Sequence, residues 1–345
     1  MILDFQYGST GKGLIAGYMA KRNEYDTAIC AFATNAGHTY IDESRDIHIM
    51  TQQLPTSITS PTVKNVMIGP GAAIHAQTLS DELLKYGRFM VGKRLMIHPQ
   101  AAVVEDYHSD FEKRDGRTKM GSTAKGVGEA YIERMRRDPT SNNTVKNRWT
   151  KDLFDMGLGE FIITEQEYRD ALDQASRVIV EGAQGFSLSL YHGQYPYVTS
   201  RDVTPWQVAA DCGLPYKWAP YVKVIGTLRT YPIRVSNRDG SSGPCYSDQV
   251  EVQWEDLGLQ PELTTVTKLP RRIFTFSQQQ LREAMFHCGG YWDTRLFLNF
   301  ANYMGTDEVA RLIDEIRTPV AGMLHVPRVE YIGYGPDDKH VVYHG

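Results

Sequence analysis

Lys12 lies in Gly8-Ser9-Thr10-Gly11-Lys12-Gly13, directly after the apolar run Met1 to Tyr7. A helical pattern with Leu14, Ile15, Tyr18 and Met19 on one face follows it. Strand, glycine turn and helix in this order aim backbone N–H groups and a helix N-terminus at a phosphate, and the lysine adds a mobile positive charge. The spacing is not that of a Walker A loop, because two residues rather than four separate Gly8 from Gly11-Lys12. The loop also holds no acid: Ser9 and Thr10 stand where a nucleotide-processing loop can carry a base. Taken alone, the loop reads equally as a phosphate cradle or as a turn whose glycines supply positive φ.

Four further segments join small residues to hydroxyls or amides: NAGHTY (35–40), GSTAKGVG (121–128), EGAQG through YPYVTS (181–200) and ELTTVTK (262–268). That is the inventory that holds phosphates and sugars without a clash of charge. Together with the first loop they favour a nucleotide site over a set of ordinary loops. Singly, each has a plainer reading. His38 reads as a satisfied core histidine, Gln184 as a turn brace, Arg137 as a solvated residue at a helix end, and Asp202 and Asp211 as surface or capping acids.

The elements that must position these segments alternate along the chain. Strands are expected at 1–7, 26–32, 64–69, 94–98, 177–181, 220–229, 295–300 and 328–332, and helices at 12–22, 76–87, 124–137, 164–175, 204–211, 278–287 and 306–317. Strands interleaved with helices predict an α/β fold, a mostly parallel central sheet with helices on both faces, and ligands at the carboxyl ends of its strands. Residues 105–160 are polar and read as an excursion from a single domain spanning 1–345; residues 235–270 read as a long functional loop region.

Composition narrows the class. A net charge of −4 across 345 residues, with no long basic run, argues against a nucleic-acid partner. The densest cationic stretch, Arg134-Met135-Arg136-Arg137, falls at an expected helix end, where cations complement the dipole. Cys30, Cys212, Cys245 and Cys288 show no metal or disulfide spacing, which suits reduced thiols in a cytoplasm. No apolar run approaches the ~20 residues of a membrane span. A soluble cytoplasmic enzyme without a leader is the expectation.

In this order the segments resemble the adenylosuccinate synthetase family over nearly the whole chain, Glu181-Gly-Ala-Gln-Gly and Asn35-Ala-Gly-His-Thr most specifically. The resemblance implies a P-loop-NTPase-related α/β fold and a two-step ligation. A nucleoside triphosphate phosphorylates O6 of a purine nucleotide, and the amine of L-aspartate then displaces that phosphate at C6. It implies that Lys12 neutralises the transferred phosphoryl group, with Gly8, Thr10, Gly11 and Gly13 around the phosphates, as such transfer needs. His38 is then a general acid. Gly37 offers its carbonyl to Mg²⁺, and Asn35, Ser122, Thr123, Gln184 and Thr199 hold the purine monophosphate, with Ser9 and Gln184 at the reacting base. Asn302, Gly335 and Pro336 lie at the donor nucleotide. Thr264, Thr265, Val266, Thr267 and Lys268 form the turn over aspartate. Arg137 reaches the nucleotide phosphate of a partner subunit, which implies a homodimer.

The departures from that family are as informative. Ser9 and Thr10 replace an Asp-Glu pair whose aspartate takes the N1 proton of inosinate; a serine hydroxyl is no base near neutral pH without an activator. The lysine–x–aspartate pair that grips guanine becomes Phe300-Ala301-Asn302, and a neutral amide suits adenine, hence ATP or dATP. Leu269 stands at an arginine position, leaving Lys268, Arg271 or Arg272 for the aspartate carboxylates. The first two changes resemble the phage branch, the 2-aminoadenylosuccinate synthetases, which join aspartate to dGMP for diaminopurine DNA. A small residue at position 9 leaves room for the 2-amino group, and its oxygen accepts from it. Asp4, an acid in an apolar strand, reads either as the replacement base or an Mg²⁺ ligand, with Ser9 beside it, or as a strand acid that binds backbone amides. Two rival functions remain: a divergent synthetase acting on IMP, against which Ser9 and Asn302 weigh, and an inactive nucleotide-binding regulator, against which Lys12 and His38 weigh.

Overall fold

The apolar runs of the sequence become neighbours in one nine-stranded sheet. The computed structural model describes residues 1–148, 157–237, 240–264, 268–289, 294–318 and 326–345. From one edge the strands run Val341–Tyr343, Arg328–Gly333, Arg295–Asn299, Ile225–Arg229, Ile2–Asp4, Val178–Glu181, Thr27–Cys30, Asn65–Ile68 and Arg94–Ile97. All neighbours pair in parallel except the antiparallel edge strand Val341–Tyr343. Every expected strand is in this sheet; the edge strand was not anticipated. Ile2–Asp4 sits at its centre, and the two halves of the sheet diverge from it, the switch point at which open α/β sheets bind ligands.

The first helix, Lys12–Arg22, is buried on all sides from Lys12 to Ala20. It is wedged against a two-stranded hairpin, His38–Asp42 with Ile47–Thr51, which the sequence reading missed. A Cβ on Gly17 would lie 2.3 Å from the Tyr40 ring, and one on Gly13 2.7 Å from the carbonyl of Thr39, so only glycine permits this approach. The expected helix 124–137 shrinks to Val127–Met135, because Gly126 (φ 78°) and Arg137 (φ 54°) leave the helical region at its ends. In the polar excursion, buried Glu112 accepts from the N–H groups of Gly126 and Gly128 and so closes the open end of that helix. Residues 235–270 contribute the strand Glu251–Val252, which pairs with Arg272–Phe274; Ile233–Arg234 pairs with the other edge of that strand in a small antiparallel sheet. All four cysteines are free, and among the described residues no helix is long and apolar enough to cross a membrane.

An acid cluster locks the far end of the first helix. Asp338 accepts two hydrogen bonds from Arg22 (2.8 and 2.9 Å), one from Lys21 (2.9 Å) and one from the Tyr40 hydroxyl (2.9 Å). Burial pushes its carboxyl upward, but the bonds from Arg22, Lys21 and Tyr40 outweigh that and hold it below its usual 3.8. A depressed carboxylate pKa adds stability that is complete above the unfolded value and is lost as pH falls through the folded one. Asp338→Asn is therefore expected to cost about 2 kcal/mol at pH 7, the lower range for a buried pair because its cations are partly solvated. Denaturant titrations should show that deficit shrinking as pH falls below 3.8.

Candidate functional site

Four adjacent strands of the sheet each end in a buried polar residue: Asn299, Arg229, Asp4 and Glu181. Each supports a loop at the carboxyl edge. Oδ1 of Asp4 accepts from the N–H groups of Gln6 (2.8 Å) and Gly8 (3.2 Å), while Oδ2 accepts from the Thr10 hydroxyl (2.5 Å) and from Nζ of Lys12 (3.1 Å). Asp4 is thus the internal strut of loop 8–13. Its contacts are those of the strand acid that binds backbone amides, with both carboxylate oxygens engaged. The Thr10 side chain is likewise turned inward, toward Asp4 and the Thr227 hydroxyl. What loop 8–13 presents is backbone: Gly11 caps the first helix in a left-handed conformation, with no side-chain cap and no acid in the first turn. The helices starting at Glu165, Pro205 and Gln278, by contrast, are capped by Thr164, Thr204 and Ser277. Helix-opening N–H groups without a side-chain acceptor form an anion site. Lys12 opens that helix, and its ammonium gives only one of three N–H donors to Asp4.

Glu181 organises the second corner. Its carboxylate accepts from the N–H and hydroxyl of Thr56 (3.0 and 3.1 Å) and of Ser57 (2.9 and 2.7 Å), and lies 3.5 Å from Nδ1 of His38. The Thr56 hydroxyl also bonds the carbonyl of Gly13, tying this corner to loop 8–13. His38 is 4 % exposed and its ring lies 4.3 Å from that of Phe32. Burial holds its pKa below the usual 6.5; the bond to Glu181 opposes this and the Lys12 charge adds to it. A carboxylate at Nδ1 fixes the ring and its tautomer, so Nε2 is the nitrogen left for chemistry. Glu181 was absent from the residues expected in the site, though an acid closing the apolar strand Val178–Glu181 was a readable signal.

The residues expected at the purine lie on separate loops. Gln184 adopts φ 61°, and Gly185 after it lies so close that a Cβ would meet the N–H of Gly8 at 2.4 Å. Asn35 is half-buried and Gly37 exposed at the entry to the His38 strand. Thr34 donates to the carbonyl of Lys125 (3.1 Å), which sets the exposed Ser122 and Thr123 beside that turn. Thr199 bonds back to Leu188 through its N–H (2.7 Å) and is half-buried. Arg137 stands apart, exposed just past the helix Val127–Met135. Asp202 and Asp211 are not surface caps: Asp202 is 7 % exposed and pairs with His192, and Asp211 pairs with Arg201 at 3.1 Å.

On the other side, Asn299 fills the space that Gly11 and Gly333 leave by lacking Cβ atoms, and its amide donates to the carbonyl of Thr10 (3.2 Å). It thereby brings together loop 8–13, the short turn Ala301–Tyr303 with exposed Asn302, and the segment leading to Gly335 and Pro336. The aspartate candidates divide. Arg272 is committed to Glu251 (2.8 and 2.6 Å) and to the carbonyl of Gly243 (2.6 Å), so it is bound within the protein. Lys268 is exposed at φ 55°, Thr264 is buried, and half-buried Arg271 forms no ion pair among the described residues. Thr265, Val266 and Thr267 lie outside the described residues.

Mg²⁺ fits only one kind of site here. Among the described residues no group of three acids, histidines or cysteines converges on a point. Mg²⁺ keeps several waters and is bound through substrate phosphates with one or two protein oxygens. The exposed Gly37 carbonyl and Ser9 hydroxyl suit that minor share.

A model of the adenylosuccinate synthetase family matches residues 1–158 and 158–291. The N6-succino-2-amino-2′-deoxyadenylate synthase of Acinetobacter phage SH-Ab 15497 is 42 % identical over 99 % of this chain and 92 % of its own. That of Salmonella phage PMBT28 is 45 % identical over 97 % and 95 %. Among solved structures, cyanophage S-2L succinoaminodeoxyadenylate synthetase (PurZ), bound to dGMP and to dATP as an energy donor, is similar with a TM-score of 0.89 and 41 % identity, covering 99 % of this chain and 94 % of that one. The fully ligated adenylosuccinate synthetase of Plasmodium falciparum shares the fold at a TM-score of 0.77 and 20 % identity.

Proposed function

The chain belongs to the adenylosuccinate synthetase family, and on that premise we propose that it joins L-aspartate to C6 of dGMP at the expense of ATP or dATP. The product is N6-succino-2-amino-2′-deoxyadenylate, formed through a 6-phosphoryl intermediate. The observation that carries the reading is the full-length likeness to the phage synthases, 42–45 % identical over 97–99 % of the chain. Ser9 at the mouth of the loop agrees with it.

The residues divide the work. The N–H groups opening the first helix, with Gly8, Gly11, Gly13 and Lys12, hold the donor phosphates and neutralise the group in flight, which is most of what phosphoryl transfer asks of a protein. His38, oriented by Glu181, takes a second proton when an anionic phosphoryl group lies beside it, then donates from Nε2 toward O6 and the phosphoryl oxygens. Asn35, Ser122, Thr123, Gln184 and Thr199 hold the acceptor nucleotide, and Ser9 accepts from its 2-amino group. Asn302, Gly335 and Pro336 border the donor base. Arg271 and Lys268, with Thr264, receive the aspartate carboxylates. Gly37 and Ser9 would hold Mg²⁺, which would supply charge neutralisation on the donor phosphates. Arg137, exposed and unburdened by the fold, reaches a nucleotide phosphate across a homodimer.

The test offers dGMP, GMP or IMP with aspartate, Mg²⁺ and either dATP, ATP or GTP, and follows products by mass. A succino-product from dGMP with an adenine donor is the expected result; product from IMP alone would overturn the acceptor, and none from any pair would favour a regulator. Ser9→Asp is expected to shift the kcat/KM ratio from dGMP toward IMP by at least about tenfold, because the carboxylate fills the 2-amino pocket and restores a base.

A further inference from the structure

Arg229 is a fully buried arginine (0 % exposed) that joins three segments of the site. Its guanidinium donates to the carbonyl of Ser9 (2.9 Å), to the carbonyl of Tyr231 (3.1 Å) and, through both terminal nitrogens, to the Glu262 carboxylate, one of these contacts at 3.2 Å. It also stacks on the Phe300 ring, 3.5 Å from the centroid. The Tyr303 hydroxyl donates to the same carboxylate at 2.9 Å. Glu262 closes the stem of the 262–271 turn, where its carbonyl accepts from the N–H of Arg271 (2.8 Å) and the Thr264 N–H bonds the carbonyl of Leu269 (2.9 Å). A single ion pair thus fastens the stem of one turn to Phe300 and Tyr303, which bracket Asn302, and to the backbone of loop 8–13.

We propose that the Arg229–Glu262 pair, with Tyr303, is a positioning device that makes donor-nucleotide and aspartate binding cooperative. The inference rests on the reading that the 300–303 turn meets the donor base and the 262–271 turn meets aspartate. A base settled against Phe300 and Asn302 fixes Phe300 and Tyr303. These fix the Glu262 carboxylate from both sides, and the stem then holds Arg271 where the aspartate carboxylates arrive. A guanidinium fork and a carboxylate meet in one geometry, so the coupling is directional in a way a lysine could not reproduce. Neither Arg229 nor Glu262 touches a reacting atom.

The experiment measures the aspartate KM of the full chain at dATP concentrations from well below to well above the dATP KM. It does so for the wild type, Glu262→Gln and Tyr303→Phe, with dATP binding titrated separately. In the wild type the aspartate KM should fall about tenfold as dATP saturates. In both variants that dependence should flatten, with aspartate KM held near its high limit, kcat at saturation little changed and dATP affinity retained. A wild-type KM indifferent to dATP, variants that keep the full dependence, or a parallel collapse of kcat and dATP binding would each overturn the proposal. The acceptor is whichever purine nucleotide the wild type turns over, so a wrong assignment of dGMP shows itself separately. If no acceptor is turned over, dATP titrations with and without aspartate decide: absence of mutual tightening in the wild type overturns the coupling.

Discussion

His38→Asn is expected to lower kcat by about 10²–10⁴-fold while leaving the dATP affinity and the thermal midpoint near wild type. The asparagine keeps a hydrogen-bonding group of similar reach, and Glu181 remains satisfied by Thr56 and Ser57, from which it accepts four hydrogen bonds. What disappears is a group able to hold a second proton near neutral pH. Burial holds the imidazole below its usual 6.5, against the pull of Glu181, and phosphoryl charge beside it favours the acid form. In the wild type, kcat should fall on the alkaline side as that imidazolium loses its proton; in the variant the residual rate should lack this limb. A pH profile unchanged by the substitution would remove His38 from the chemistry. Glu181→Gln gives a different signature, because an amide N–H₂ would then face hydroxyl and N–H donors in a buried site, and stability should fall together with rate.

Asp4→Asn is expected to cost about 3 kcal/mol of stability and most of the activity. The pair it breaks is almost wholly buried, with side-chain exposures of 6 % for Lys12 and 0 % for Asp4. An amide accepts through only one of its two atoms, so either the N–H groups of Gln6 and Gly8 or the Thr10 and Lys12 donors face an NH₂; the buried ammonium also loses its counter-charge, and loop 8–13 loses its strut. Chemical denaturation checks the first effect and steady-state rates with dGMP the second. If the variant keeps wild-type stability and loses only kcat, with a displaced pH profile, Asp4 is a proton acceptor rather than a strut.

The sheet was legible because most of its strands lie in apolar runs, several of them four or five residues long, interleaved with helical periods. The His38–Asp42 and Ile47–Thr51 hairpin alternates buried and part-exposed or exposed residues around Glu43–Arg45, but its polar positions His38, Asp42 and His48 blur that period in the sequence. Val341–Tyr343 is an edge strand with one buried residue, too short to register. At the site, segments that present small residues and hydroxyls were readable, while their supports were not. Glu181, Arg229 and Asn299 each occupy the last position of an apolar strand, where a lone polar residue looks like a boundary. Their partners lie as much as 289 residues away in sequence, as for Asn299 and Thr10, and no local pattern encodes such pairing. Arg272 misled for the same reason, since its counter-ion Glu251 comes from the adjoining strand of the small sheet.

The four buried strand ends bond to the protein, whereas the side chains of Ser9 and Asn302, which we propose meet the acceptor and the donor base, are exposed. Substrate choice and structural integrity are therefore written in different residues. Such a scaffold lets a lineage exchange one purine for another by changing residues at the loop mouths, with the sheet edge beneath them inherited intact. A combinatorial library at positions 9 and 302 should consequently remain mostly folded while its members differ widely in the nucleotides they accept, and a library at 4, 181, 229 and 299 should not.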